Sequence, residues 1–122
     1  MIVPDVNLLL YANVDAFAQH AKARRWWEAA LGDGAEVGLA APSLFGFVRI
    51  ATNARAMQRP LAPADAWQIV EEWLDAPTVW VPEPGPGCRA ILGRLITELD
   101  LRGNLVGDAM LAALCIEHGL RM

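Results

Sequence analysis

Two aspartates stand apart from the other acids of this chain because their neighbours are apolar. Asp5 separates Met1-Ile2-Val3-Pro4 from Val6-Asn7-Leu8-Leu9-Leu10. Asp108 lies in Gly107-Asp108-Ala109-Met110-Leu111-Ala112-Ala113-Leu114. In open α/β sheets, ligands bind at the C-terminal edge of the strands. A carboxylate there is a natural oxygen ligand for a hard divalent cation. Each acid also has a plainer use. Asp5 suits a turn, as an Asx residue. Asp108, read as the opening residue of a helix, would interact favourably with the helix dipole.

The elements that must position these acids alternate between strand and helix. Met1 to Pro4 reads as a short strand, with the proline tolerated at its end. Residues 6–12 read as a short apolar helix, and Asp15 as the N-cap of a helix from about Ala16 to Leu31. Phe17, Ala21, Trp27 and Leu31 give that helix an apolar face, and Gly32-Asp33-Gly34 ends it. Glu36 to Ala41 reads as a second strand, with Pro42-Ser43 starting a helix too apolar for the surface. After a break at Gln58 to Pro63, Asp65 to Asp75 forms an amphipathic helix. Thr78 to Val81 is the third strand. Cys88 to Leu101 follows as a helix that buries Ile91, Leu92, Leu95, Ile96 and Leu99. Arg102-Gly103-Asn104 is its stop. Asp108 to His118, apolar over most of its surface, belongs inside a layered fold. Gly119 ends it, and Leu120-Arg121-Met122 reads as the start of a fourth strand. Alternation of this kind favours a parallel sheet covered on both faces.

Bulk properties narrow the function classes. The chain has 122 residues, which fits one domain. It is 55% hydrophobic and 20% charged, which argues against disorder. No apolar stretch is long enough to span a bilayer, and no secretory signal opens the chain. The expectation is a cytoplasmic protein with no membrane partner. A net charge of -4 has the wrong sign for holding nucleic acid by bulk charge. It still allows a metal-dependent nuclease, whose site needs clustered acids. Cys88 and Cys115 fit no CxxC spacing and read as reduced thiols. The five tryptophans read as core and dimer-interface packing, with base stacking as the alternative.

Three blocks together carry a resemblance: Val3-Pro4-Asp5-Val6-Asn7-Leu8-Leu9-Leu10-Tyr11-Ala12, Gly46-Phe47-Val48-Arg49-Ile50-Ala51-Thr52-Asn53, and Gly103-Asn104-Leu105-Val106-Gly107-Asp108-Ala109 through Leu114. In this order the chain resembles the PIN-domain ribonucleases, in particular the VapC-type toxins of bacterial toxin–antitoxin pairs. The resemblance implies an α/β, PIN-like three-layer sandwich with a mostly parallel central sheet, here without the last part of that sheet. It implies one domain over residues 1–122, C-terminally truncated in one reading. The implied activity is that of an endoribonuclease toxin using magnesium, or manganese, to hydrolyse RNA phosphodiester bonds. Asp5 and Asp108 match two metal-binding, catalytic acids, and Asn7 matches a supporting polar neighbour. A cognate antitoxin, an RNA substrate and a second copy in a homodimer are the implied partners. The chain departs from the family pattern at two places. A glutamate is expected between Leu44 and Gly46, best placed at Gly46, and none is present. Further aspartates are expected beyond the strand that begins at Leu120. A catalytically impaired, dimerising, antitoxin-binding module is therefore the alternative reading. Glu98 and Asp100 would substitute only in part, and read more simply as a solvated helix end. Arg49 reads as pairing with an acid, or else contacting phosphate. His20 and His118 read as structural.

Overall fold

The computed structural model describes residues 3–15, 17–32 and 36–119. Its element order is α1 (Val6–Asn13), α2 (His20–Gly32), β1 (Val37–Gly38), α3 (Ala41–Ala51), α4 (Pro63–Asp75), β2 (Val79–Trp80), α5 (Cys88–Glu98) and α6 (Asn104–His118). Strands β1 and β2 pair in parallel, with Val37 opposite Val79 and Gly38 opposite Trp80. The ladder is anchored by Val37 N–H to the Thr78 carbonyl and Leu39 N–H to the Trp80 carbonyl, each 2.8 Å. The connection between the strands carries α3 and α4, as a parallel pair requires.

Strand periodicity sorts side chains to two faces. Val37 and Leu39 enter a large core with Leu9, Leu10, Trp27, Phe47, Val70 and Trp73. Ala40, on the other face, joins Val3, Cys88, Leu111, Ala113, Leu114 and Cys115 in a smaller core. Gly38 lies on that second face too, because a Cβ there would meet Val3 Cγ2 at 3.1 Å. Helices α1 to α4 thus supply one apolar layer, and α5 and α6 the other, around a short parallel sheet. This is the α/β sandwich expected from the sequence.

The large core is built on aromatic contacts. Trp27 and Trp73 meet edge to face at 5.5 Å between centroids, and Phe47 and Trp73 at 4.7 Å. Trp26 and Trp67 are exposed and Trp80 is half-buried, so two of the five tryptophans, Trp27 and Trp73, are fully in the core.

Several boundaries differ from the sequence reading. Val3 and Pro4 belong to no strand. Pro4 has no N–H to give to a ladder, and Met1 and Ile2 lie outside the described residues. Helix α2 begins at His20 rather than near Ala16, because tight turns occupy the preceding residues: Phe17 N–H bonds to the Val14 carbonyl and His20 N–H to the Phe17 carbonyl. Ala21 is exposed, and Ala23, Trp27 and Ala30 form the buried face. Helix α5 stops at Glu98. Asp100, at φ 50°, takes the left-handed position, and Leu101 N–H returns to the Ile96 carbonyl at 3.0 Å. That is a Schellman closure with aspartate where glycine is usual. Leu99 is consequently 63% exposed rather than buried. Helix α6 starts at Asn104, four residues earlier than expected, and leaves Leu105, Val106 and Ile116 exposed. Gly119 ends it at φ 67°, as its type predicts. The readings for Asp33-Gly34 and Leu120 to Met122 lie outside the described residues.

Candidate active site

Asp5 is the N-cap of α1. Its backbone is extended, and its Oδ1 accepts the Leu8 N–H at 3.0 Å, which satisfies one of the unpaired donors of the first turn. The plainer role thus operates, but it engages one carboxylate oxygen. The residue is exposed, and Oδ2 makes no hydrogen bond to any described residue. Asn7, two residues on, is also exposed.

Asp108 behaves differently. It is the fifth residue of α6 rather than the first. Dipole stabilisation falls off within the first turn, so the plainer explanation for this acid is removed. Asp108 is exposed and makes no hydrogen bond or ion pair with a described residue. In the second turn of a mostly apolar helix, this acid meets no structural partner among the described residues.

Helix α3 relates the two acids. It packs against α1 and α6. Ser43, buried in its first turn, donates a long hydrogen bond of 3.4 Å to the carbonyl of Pro4, directly before Asp5. Gly46 faces Val6, directly after Asp5: a Cβ at position 46 would lie 3.1 Å from Val6 Cγ2. A glycine therefore fills a close approach between α3 and the start of α1. The position at which the resemblance expects a glutamate is thus beside the anchor of Asp5, and carries no carboxylate.

The other acids near this end are committed elsewhere. Asp100 forms a two-pronged pair with Arg102 Nη2, at 3.1 and 3.0 Å. Glu98 pairs with Arg94 one turn away, at 3.5 Å. Among the described residues, no three His, Cys, Asp or Glu side chains are grouped to hold a metal ion. Arg49 is exposed and has no acid partner among the described residues, contrary to the pairing expected of it. His20 Nδ1 bonds to the Tyr11 carbonyl at 2.9 Å, and His118 Nε2 to the Glu83 carbonyl at 2.7 Å. Both therefore tie segments together, as expected.

Cys88 and Cys115 are free and buried. Burial pushes both thiols above their ordinary range, and the Glu117 carboxylate adds to the effect at Cys88. Both are held as neutral thiols, unsuited to nucleophilic or metal-binding roles.

Two features were not legible in the sequence. Ser43 gave no signal beyond its place beside Pro42. A cleft at the C-terminal end of α1, lined in part by Asn13 and Arg24, was the other, and the i,i+4 spacing of Arg24 and Glu28 was its one local trace.

The sequence profile of the PIN domain matches residues 2–122, so the chain belongs to the PIN-domain family. Within it, the similarity runs to VapC ribonucleases of mycobacteria. The chain is 44% identical to Ribonuclease VapC33 of Mycobacterium tuberculosis, over 97% of this chain and 82% of that protein. It is 39% identical to Ribonuclease VapC37 of the same species, over 97% and 82%. To VapC ribonuclease Mb2897 of Mycobacterium bovis it is 36% identical, over 97% and 80%. No helix among the described residues is long and apolar enough to cross a membrane.

Proposed function

We propose that this protein is a magnesium-dependent endoribonuclease toxin of the VapC type, with Asp5 and Asp108 as its catalytic, metal-holding acids. The observation that carries the reading is Asp108: a solvent-facing carboxylate with neither capping role nor partner among the described residues, on a helix that packs against α3, the helix that also packs against α1. Membership of the PIN family and similarity to proteins named ribonucleases supply the activity class. The donor set suits the ion in kind, since two carboxylates and the Asn7 amide offer hard oxygen ligands. Manganese is the alternative ion. What the ion supplies when bound is positive charge at the phosphate and a more acidic water. The chain's own task is orientation. The Leu8 N–H fixes one oxygen of Asp5, and the other, without a hydrogen bond to any described residue, would be available to hold an ion. A cognate antitoxin and a second copy of the chain are the partners that accompany this reading.

The test is cleavage of single-stranded RNA with and without magnesium, in wild type, Asp5→Asn and Asp108→Asn. Loss of an outer-shell partner of a metal site costs 10–100-fold, so removing either acid should cost more than about 100-fold. Chelation should abolish cleavage and added magnesium restore it. Cleavage that ignores both substitutions would sink the assignment.

One observation favours a second reading, an antitoxin-binding module without turnover. Gly46 stands where a third acid is expected, and no three-acid cluster exists among the described residues. Two carboxylates alone hold magnesium weakly. Magnesium that fails to bind at millimolar concentration, with no detectable cleavage, would select this reading.

A further inference from the structure

We infer that the cleft at the C-terminal end of α1 binds a backbone phosphate of single-stranded RNA, further along the strand than the phosphate at the two acids. This rests on the ribonuclease reading above. The cleft has a volume of about 700 Å³ and is lined by Asn13, Asp15, His20, Arg24, Gln58 and Arg59, among others. The smaller groove between α1 and α2, of about 310 Å³, is more apolar: Leu8, Tyr11, Ala23 and Trp26 wall it, with Gln19 and Lys22 at its side.

Arg24 is fixed in the cleft rather than loose. Its Nε donates to Glu28 Oε1 at 2.9 Å and its Nη1 to Asn13 Oδ1 at 3.0 Å. Asn13 is itself held, because its Nδ2 donates to the Leu9 carbonyl at 2.8 Å. A guanidinium has five N–H donors in a rigid fork, so those on Nη2 remain for a ligand. A pre-positioned arginine loses little freedom on binding, and its Nη2 offers charge-assisted donors to a phosphate oxygen. Arg59 is exposed and has no ion-pair or hydrogen-bond partner among the described residues. Gln58 adds amide donors. In formal charge Asp15 and Glu28 offset Arg24 and Arg59, so phosphate recognition here rests on the directed donors of Arg24, Arg59 and Gln58 and not on net positive charge.

The distribution of charge along the chain does not oppose this. Residues 1–62 hold six basic and five acidic side chains, and residues 63–122 hold four and nine. The acidic balance that argues against bulk nucleic-acid binding is thus confined to the second half. Helix α1 connects the cleft to Asp5. Its eight residues rise about 12 Å, so a strand of a few nucleotides passing from one end of the helix to the other would reach both sites. A phosphate, with its negative charge and paired oxygens, suits two arginines and an amide better than a base edge does.

The test uses full-length Asp5→Asn protein, which keeps the substrate uncut, and a labelled single-stranded oligoribonucleotide. Affinity is measured across a salt series. Adding Arg59→Gln should weaken binding about tenfold for every sequence tried, and lower the slope of log K against log salt by about one, as expected for one lost phosphate contact. Arg24→Lys keeps the charge but loses the fork, and should weaken binding less. Arg94→Gln, on α5 and outside the cleft, should change neither quantity. Unchanged affinity and slope in Arg59→Gln would overturn the proposal. So would an equal loss in Arg94→Gln, which would mean diffuse charge attraction and not a site in the cleft. Binding is scored apart from cleavage. Wild type that binds RNA through Arg59 but never cleaves it would refute the ribonuclease reading and leave the cleft standing.

Discussion

The two faces of the sheet are built to different standards. The larger core locks three aromatic side chains, Trp27, Phe47 and Trp73, into contact and buries all of them. The smaller one is assembled from alanines, leucines, a valine and two thiols, and Cys88 is the only fully buried residue of α5. Leu99, Leu105 and Val106 lie exposed around the α5–α6 connection. Each candidate acid belongs to a different side. Asp5 precedes a helix whose Leu9 and Leu10 enter the larger core, whereas Asp108 rides on the helix that forms most of the smaller one. The contrast teaches that one acid is held by rigid packing and a cap, while the other depends on a thinner layer.

The comparison is broken most directly by emptying each core. Phe47→Ala removes a side chain with no exposed surface and undercuts Trp73, and should cost about 3–5 kcal/mol. Leu114→Ala in the smaller core should cost about 2–5 kcal/mol, and toward the lower end, because half-buried Ile91, Leu92 and Leu95 of α5 can move to fill the space. Urea unfolding measures both. If Leu114→Ala proves the more damaging, the ranking of the two cores is reversed. On the proposed assignment of Asp108, which α6 carries, Leu114→Ala should also lower RNA cleavage at limiting magnesium before it lowers the folded fraction.

How much of this was readable beforehand depends on the kind of signal. The parallel strands at Val37–Gly38 and Val79–Trp80 fall inside the runs read as strands, Glu36 to Ala41 and Thr78 to Val81, the second announced by its β-branched and aromatic residues. The aromatic core follows from Trp27 and Trp73 at helical positions. Helix ends were harder, because they turn on local hydrogen bonds rather than periodicity. Nothing in the letters Leu99-Asp100-Leu101 says that an aspartate will take the left-handed position and expose Leu99. The candidate site was legible as two acids in apolar surroundings, but not their difference. Only the backbone shows that Asp5 caps a helix while Asp108 sits beyond the reach of a helix terminus.

That difference sharpens into a smaller prediction about stability. Replacing an N-cap aspartate by alanine costs about 1 kcal/mol, within roughly 0.5–2. Asp5→Ala should show this loss, and Asp5→Asn should show much less, since asparagine caps about as well. Asp108→Asn and Asp108→Ala should each stay within about 0.5 kcal/mol of wild type, as for a surface position without partners. Thermal or urea unfolding of the four variants checks it. A loss above 1 kcal/mol in Asp108→Ala would show that this acid does structural work, and would weaken its assignment to chemistry.

The smallest effect concerns the two thiols of the smaller core. Burial raises both, and Glu117 raises Cys88 further. The folded chain therefore keeps protons on sulfur at a pH where the unfolded chain has begun to release them. The unfolded state binds fewer protons there, so stability falls as pH rises. The contribution is fully present below the ordinary thiol value of 9.0, and is lost as pH climbs through the raised folded values. Urea unfolding between pH 7 and pH 10 should show a decline above about pH 9. The decline should be shallower in a Cys88→Ala/Cys115→Ala variant, once its own constant packing loss is subtracted. An identical slope would place the alkaline sensitivity in the larger core or at the surface. Native protein should also resist alkylation at neutral pH and become reactive once urea opens the second layer. Labelling of Cys115 before any loss of Trp27 and Trp73 fluorescence would mean that α6, and Asp108 with it, opens independently of the aromatic core.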